Sequence, residues 1–136
     1  MNELRRILLV EDDLVDVKTV KRAFQDLGTN CGLTHASNGE EALQILSQDP
    51  LPSLILLDLN MPVMNGLEFL EEKAGKPRFS SIPTVVLTTS NHEQDKRRAY
   101  EFGVAGYLVK PFQYKVFVER IGILLQYWNQ SELVNA

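Results

Sequence analysis

The sequence predicts an α/β domain in which helices cover both faces of a parallel β-sheet. Four short apolar runs without polar alternation, at residues 7–10, 54–57, 85–87 and 107–109, support this fold class. Runs of that kind are typical of central parallel strands that are buried on both faces. A weaker run at residues 32–35 predicts an edge strand. Because segments of helical period separate the strands, right-handed crossovers are expected to place helices on both sides of the sheet.

Five helices are predicted between and after these strands. Apolar residues from Leu14 to Leu27 recur at a period near 3.6, with Asp13 as the expected N-terminal cap and Gly28 as the stop. The other helices are expected to run from Asn38 to Asp49-Pro50, over residues 67–72 before Gly75 and Pro77, over residues 93–102 before Gly103, and along an apolar stripe from Val116 to Trp128.

The chain is expected to form one domain. Its 136 residues suffice for one compact core and not for two. We therefore assign residues 1–128 to a single domain and residues 129–136 to a polar C-terminal tail, with no output domain. The 44% hydrophobic and 24% charged composition is that of an ordinary globular protein and excludes disordered and fibrous classes. A single cysteine, Cys31, excludes an internal disulfide framework.

Charge and hydropathy exclude several partners and compartments. The net charge of −4 argues against nucleic acid as the main partner, because phosphate backbones select basic faces. Residues 1–6 are polar, and the apolar run that follows is too short for a secretory signal. No stretch approaches the roughly 20 apolar residues of a membrane helix. We therefore expect a cytoplasmic protein that contacts neither membrane nor nucleic acid.

Chemically useful side chains stand at the ends of the four central strands. They are, in chain order, Glu11 and Asp12, Asp58, Thr88, and Lys110. Open parallel sheets bind ligands at the carboxyl ends of their strands, so these side chains are expected to share one crevice. Clustered carboxylates repel one another unless a cation or a proton neutralises them, and their oxygen atoms suit Mg²⁺. A carboxylate can also accept a phosphoryl group as a nucleophile, and Lys110 and Thr88 could bind that group.

Four segments resemble the receiver domains of two-component response regulators. They are ILLVEDD at residues 7–13, LLDLNMPVMNG at 56–66, LTTS at 87–90 and GVAGYLVKPF at 103–112. The resemblance implies a flavodoxin-like (βα)5 fold with a parallel five-stranded sheet of order 2-1-3-4-5. It also implies a phosphoprotein of a two-component system, which a sensor histidine kinase phosphorylates in the presence of Mg²⁺. Mn²⁺ is expected to substitute for Mg²⁺.

The same resemblance implies a role for each site residue. Asp58 is the expected phosphoacceptor. Asp12 and Asp58 are expected to bind Mg²⁺ directly, together with the backbone carbonyl of Asn60. Glu11 is expected to act mainly through water. Lys110 is expected to pair with Asp58 or with the phosphoryl group.

A conformational switch is also implied by the resemblance. Thr88 is expected to move toward the phosphoryl group while Tyr107 rotates inward behind it. That movement would remodel the face made by the fourth helix, the fifth strand and the fifth helix. The peptide bond between Lys110 and Pro111 is expected to be cis.

A narrower resemblance concerns residues 81–90 and 126–128. They are similar to small stand-alone regulators that are paired with bacterial phytochromes. This resemblance implies a phytochrome-type kinase as partner and a homodimer through the face just described. The alternative is that Trp128 only packs the end of the last helix.

Three other functions compete with this interpretation. An aspartate-nucleophile phosphatase would carry a second acid where this chain has Asn60, so we expect no enzyme that turns over external substrates. A flavodoxin would need a phosphate cradle after the first strand, where Glu11, Asp12 and Asp13 would repel a phosphate. A receiver-like scaffold that binds partners without phosphorylation remains open.

Overall fold

A computed structural model of the protein describes residues 6–48 and 50–133. These residues form five strands and six helices. The strands are β1 (Arg6–Val10), β2 (Gly32–Ala36), β3 (Leu54–Leu57), β4 (Thr84–Thr88) and β5 (Gly106–Val109). The helices are α1 (Leu14–Leu27), α2 (Gly39–Leu46), α3 (Gly66–Ala74), α4 (Pro77–Ser80), α5 (Glu93–Glu101) and α6 (Tyr114–Gln130).

The strands form one parallel sheet of order β2-β1-β3-β4-β5, which confirms the predicted fold class and strand order. Strands β3 and β4 are buried throughout, whereas the edge strands β2 and β5 are largely half-buried. The apolar side chains of the sheet divide between two cores. Leu8 and Ile55 pack with α2 and α3 on one face, and Ile7 and Leu56 pack with α1 and α6 on the other. Burial on both faces explains why the runs of β1, β3 and β4 do not alternate with polar residues. The prediction that the run at residues 107–109 is also a central strand was wrong, because β5 lies at an edge of the sheet and is half-buried.

The ends of α1 follow the predicted chemistry. The Asp13 carboxylate accepts hydrogen bonds from the N–H groups of Val15 at 2.8 Å and Asp16 at 3.3 Å, which confirms it as the N-terminal cap. Gly28 follows the helix with a left-handed φ of 65°, which confirms it as the stop.

The end of α2 and the segment after α3 differ from the prediction. Helix α2 ends at Leu46, before the predicted stop at Asp49-Pro50, and Asp49 lies outside the described residues. Pro77 was predicted only to mark the end of the third helix. It begins the short helix α4, where its missing N–H costs no hydrogen bond and its fixed φ suits the first helical position. Because of this added helix, the predicted fourth and fifth helices are α5 and α6.

The last helix is longer than predicted. Helix α6 continues to Gln130, so residues 129 and 130, which were assigned to the tail, are helical. Trp128 packs against the core beneath α1 and α6 and lies edge-to-face with Tyr127 at 5.0 Å, which anchors this end of the helix. Residues 134–136 of the predicted tail lie outside the described part of the chain. None of the helices described, α6 included, has the length and apolarity that crossing a membrane requires.

Candidate functional site

Strands β1 and β3 bring two of the predicted carboxylates side by side. Val10 and Leu57, the last residues of these strands, are partners in the sheet register. The Asp58 N–H donates a hydrogen bond of 2.9 Å to the Val10 carbonyl, so the backbone pairing extends one residue beyond β3. Glu11 and Asp58 therefore emerge next to each other at the carboxyl edge of the sheet, as predicted from sequence.

Glu11, Asp12 and Asp58 form a cluster in which one ligand atom from each lies within 4.8 Å of the others. Glu11 and Asp58 are only 2% and 6% exposed, whereas Asp12 is exposed. Burial raises the pKa of Glu11 from 4.5 to about 7; the hydrogen bond from Lys110 opposes this shift, and the nearby Asp58 carboxylate adds to it. A divalent cation would relieve the repulsion, and a donor set made only of carboxylate oxygens fits a hard ion such as Mg²⁺.

Lys110 reaches this cluster from the end of β5. Its backbone N–H donates to the Thr88 carbonyl at 2.7 Å, and its Nζ lies 2.5 Å from Glu11 Oε1 and 2.7 Å from Asp16 Oδ2. Burial alone would lower the pKa of Lys110, but the hydrogen bonds with Asp16 and Glu11 outweigh it and raise that pKa. Asp58, the expected partner, acts on this pKa only as a nearby charge. In this structure Lys110 is therefore held by Glu11 and Asp16.

Thr88 and Tyr107 are connected through Ser90. The Thr88 hydroxyl is fully buried and accepts a hydrogen bond of 3.2 Å from the Ser90 N–H. The Ser90 carbonyl accepts a hydrogen bond of 3.0 Å from the Tyr107 hydroxyl, and the Ser90 hydroxyl donates to Asp95 at 2.6 Å. Burial raises the pKa of Tyr107, which favours the protonated hydroxyl that donates to Ser90. The two predicted switch residues, Thr88 and Tyr107, are therefore both hydrogen-bonded to the backbone of Ser90.

Gly66, the first residue of α3, packs closely against the backbone that follows β3. A Cβ atom on Gly66 would lie 2.5 Å from the Asp58 carbonyl oxygen and 2.7 Å from Leu59 Cα, so only glycine fits there. Val63, in the loop between β3 and α3, has a left-handed φ of 67°, which is rare for a β-branched residue. Asn60 lies in the same loop and is exposed.

A cleft of about 290 Å³ borders the site between α1 and the start of α6. Asp16, Lys110 and Pro111 line it, together with Phe112 and Tyr114. Pro111 is half-buried, whereas Phe112 is fully exposed beside it. The cleft therefore gives the Lys110 side chain open space on the side of α1.

Two residues of the site, Asp16 and Ser90, were missed in the sequence analysis. Asp16 stands in the first turn of α1, where an acid is commonly explained by the helix dipole. Ser90 follows β4 in a loop, where serine is common. Asp16 and Lys110 are 94 positions apart in the sequence, and Ser90 and Tyr107 are 17 positions apart. Local sequence patterns therefore do not predict these contacts.

Several known regulatory proteins are related in sequence to this chain. A sequence profile of the response regulator receiver domain matches residues 7–122. Response regulator Rcp1 of Synechocystis sp. is 35% identical over 136 residues, which cover 96% of this chain and 92% of that protein. The probable methanogenesis regulatory protein FilR2 of Methanothrix harundinacea is 36% identical over 127 residues, which cover 90% of this chain and 82% of that protein.

Solved structures extend the likeness to the whole fold. The phosphorylated cyanobacterial phytochrome response regulator RcpA is similar with a TM-score of 0.90 at 29% identity, covering 97% of this chain and 99% of that one. The Mn²⁺-bound form of Rcp1 is similar with a TM-score of 0.86 at 34% identity, with the same coverage of 97% and 99%. The bacteriophytochrome response regulator AtBRR is similar with a TM-score of 0.76 at 35% identity, covering 99% and 100%.

Proposed function

Since this chain belongs to the response regulator receiver domain family, we propose that it accepts a phosphoryl group on Asp58 from a sensor histidine kinase. The observation that carries this proposal is the position of Asp58. Its carboxylate is buried at the end of β3 and has an oxygen within 4.8 Å of ligand atoms of Glu11 and Asp12. Phosphoryl transfer depends on positioning and charge neutralisation more than on proton chemistry, and a buried carboxylate in an acidic cluster that can hold a cation meets both needs.

We propose Mg²⁺ as the cation of this cluster. Asp12 and Asp58 would bind it directly, with the backbone carbonyl of Asn60, and Glu11 would bind it through water. The bound ion supplies positive charge that neutralises the carboxylates and an incoming phosphoryl group. The Mn²⁺-bound form of the related Rcp1 supports a divalent ion and supports Mn²⁺ as a substitute.

The transfer step requires only a nucleophilic carboxylate and groups that bind the phosphoryl oxygens. One carboxylate oxygen of Asp58 bonds to phosphorus while the bond from phosphorus to the kinase histidine nitrogen breaks, and that nitrogen keeps the electron pair. The Lys110 ammonium contributes a positive charge and the Thr88 hydroxyl a hydrogen bond. Hydrolysis of the acyl phosphate by water releases inorganic phosphate and restores the Asp58 carboxylate. We also propose that the peptide bond between Lys110 and Pro111 is cis.

The output is proposed to run through Ser90. When the Thr88 hydroxyl turns toward the phosphoryl group, the Ser90 N–H loses the acceptor that it has at 3.2 Å. The Ser90 carbonyl, which holds the Tyr107 hydroxyl at 3.0 Å, is then free to shift. Tyr107 can rotate inward, and the face made by α5, β5 and α6 changes shape.

The relatives support a narrower assignment of partners. Similarity to the phytochrome response regulators RcpA and AtBRR over nearly their whole chains supports a phytochrome-type kinase as partner. We propose that the protein receives the phosphoryl group in the cytoplasm and acts as a stand-alone regulator. Tyr100 on α5 and Ile123 and Tyr127 on α6 are large hydrophobic residues that are exposed. They support a homodimer, or a downstream protein target, at the face of α5, β5 and α6.

The competing function is an aspartate-nucleophile phosphatase. Such an enzyme needs a general acid/base near its nucleophile, and the amide of Asn60 cannot serve as one. We therefore propose that the protein carries the phosphoryl group as a signal and does not turn over external phosphoesters. Repeated turnover of generic phosphoesters by the purified protein would contradict this.

Intact mass after incubation with Mg²⁺ and acetyl phosphate tests the proposal. We expect the wild type to gain the mass of a single phosphoryl group and Asp58→Asn to gain none. Asp26→Asn is the matched control, because it removes a carboxylate from an exposed position near the end of α1, and it should keep the gain. If the folded wild type gains no phosphoryl group from acetyl phosphate or from any candidate histidine kinase, the protein is a receiver-like scaffold.

A further inference from the structure

Asp16 contacts the Lys110 ammonium from outside the carboxylate cluster. Lys110 Nζ lies 2.7 Å from Asp16 Oδ2 and 2.5 Å from Glu11 Oε1. The Lys110 side chain is 11% exposed and that of Asp16 is 35% exposed, so water screens this ion pair only in part. Partly buried pairs are screened less by solvent and salt than pairs on an open surface.

The first turn of α1 determines where Asp16 stands. The Asp13 carboxylate accepts hydrogen bonds from the N–H groups of Val15 and Asp16, which holds the backbone of this turn. Asp16 and Lys110 also line the same cleft between α1 and α6. Asp16 therefore attracts Lys110 toward α1, whereas the phosphoacceptor Asp58 stands at the end of β3.

We propose that Asp16 is a positioning residue, which holds Lys110 in the unphosphorylated protein and competes for it with the phosphoryl group on Asp58. This inference rests on the proposed function. A lysine ammonium has three N–H groups, and Glu11 and Asp16 occupy two of them. To give the phosphoryl oxygens more than one donor, Lys110 must release a carboxylate, and the partly exposed Asp16 regains water more readily than the buried Glu11.

A double-mutant cycle with beryllofluoride, an analogue of the phosphoryl group, tests the competition. In the presence of Mg²⁺, we expect Asp16→Asn to tighten beryllofluoride binding about three- to ten-fold, which is in the range of coupling between residues in contact. In a Lys110→Gln background the same substitution should have no effect, because the competition requires the ammonium. Asp16→Glu, which restores the carboxylate, should return the affinity toward that of the wild type.

The control is Asp26→Asn, which makes the same change of charge on the same helix. Asp26 lies near the far end of α1, where it contacts Tyr114 at 2.6 Å and not Lys110. Beryllofluoride affinity should be the same in Asp26→Asn and the wild type. Equal tightening in Asp16→Asn and Asp26→Asn would mean that only the net charge of α1 matters, and the inference would be wrong.

A titration with Mg²⁺ alone separates this inference from the proposed function, since it needs no phosphoryl group. We expect Asp16→Asn to weaken Mg²⁺ binding about two- to five-fold. Without the Asp16 carboxylate, the Lys110 ammonium interacts more strongly with Glu11 and the neighbouring carboxylates, where it competes with the ion. In the Lys110→Gln background, Asp16→Asn should reduce Mg²⁺ affinity no more than Asp26→Asn does. Amide chemical shifts of the labelled protein report both affinities.

The outcomes distinguish the two proposals. If the wild type binds beryllofluoride but Asp16→Asn changes neither affinity, or changes them equally with and without Lys110, Asp16 is an ordinary helix acid and the inference is wrong. If the wild type binds no beryllofluoride and gains no phosphoryl group, the proposed function is wrong and the competition is wrong with it. The Mg²⁺ cycle then still decides whether Asp16 positions Lys110.

Discussion

The Tyr107 hydroxyl donates a hydrogen bond of 3.0 Å to the backbone carbonyl of Ser90. The same serine donates its N–H to the Thr88 hydroxyl and its own hydroxyl to Asp95 in the first turn of α5. Ser90 therefore ties the end of β4 to both β5 and α5. A change at the Thr88 hydroxyl can reach the surface of α5, β5 and α6 through a few hydrogen bonds.

Tyr107→Phe removes the hydrogen bond to Ser90 and should lower the free energy of unfolding by about 1 kcal/mol. Uptake of a phosphoryl group on Asp58 should persist, because the hydroxyl of Tyr107 is bonded to Ser90 and not to the carboxylates. Urea unfolding measures the stability change, and Tyr100→Phe on the exposed side of α5 is the control. Equal stability of Tyr107→Phe and the wild type would mean that this bond contributes nothing.

Gly66→Ala should destabilise the fold by more than about 2 kcal/mol, because its Cβ overlaps backbone that cannot move aside. The new atom would lie 2.5 Å from the Asp58 carbonyl oxygen and 2.7 Å from Leu59 Cα. Gly75→Ala is the matched control, since its Cβ would meet its nearest atom, the Glu72 carbonyl oxygen, at an ordinary 3.7 Å. Gly75→Ala should leave the free energy of unfolding unchanged or raise it slightly, because alanine reduces the conformational freedom of the unfolded chain. Thermal and urea unfolding measure the free energy change in both variants.

Val63→Asn should raise the free energy of unfolding by about 1 kcal/mol, because asparagine tolerates the left-handed region that a β-branched residue avoids. Val63 has a φ of 67° and is 74% exposed, so little packing is lost with the side chain. Val15→Asn serves as control, because Val15 is also exposed but lies in the first turn of a regular helix. A Val63→Asn variant that is no more stable than the wild type would show that the loop relaxes this strain in solution.

The raised pKa of Glu11 makes stability depend on pH. Its pKa is about 7 in the folded protein against 4.5 in an unfolded chain, so the folded state binds the proton more tightly. The resulting stability is present below the unfolded pKa and is lost as pH rises through the folded pKa. Without divalent cations, urea unfolding should show a decrease from about pH 5 to about pH 8, on the order of 3 kcal/mol at roughly 1.4 kcal/mol per pKa unit.

Glu11→Gln and Mg²⁺ provide the two controls for this pH dependence. Glu11→Gln cannot ionise and should flatten the decrease. Mg²⁺ should stabilise the protein more at about pH 8 than at about pH 5, because protons compete with the ion for the carboxylates. The assignment to Glu11 is wrong if the decrease is as steep in Glu11→Gln as in the wild type.

Most of the fold and much of the site could be predicted from short stretches of sequence. The apolar runs of β1, β3, β4 and β5 and the cap at Asp13 were predicted because burial and capping depend on neighbouring residues. The meeting of Glu11, Asp12 and Asp58 followed from the geometry of parallel sheets, which aligns strand ends. The helix α4 at Pro77 was not predicted, because proline both ends and begins helices and only the surrounding packing distinguishes the two.

Local residue patterns therefore specified the strands, the helix caps and the chemical groups at the edge of the sheet. The tertiary structure alone decided how those groups pair. Lys110 contacts Asp16, 94 positions away, and Ser90 connects Thr88 with Tyr107. Electrostatic attraction and hydrogen bonding act over a few ångströms in space, and distance along the chain does not reveal which side chains the fold brings that close.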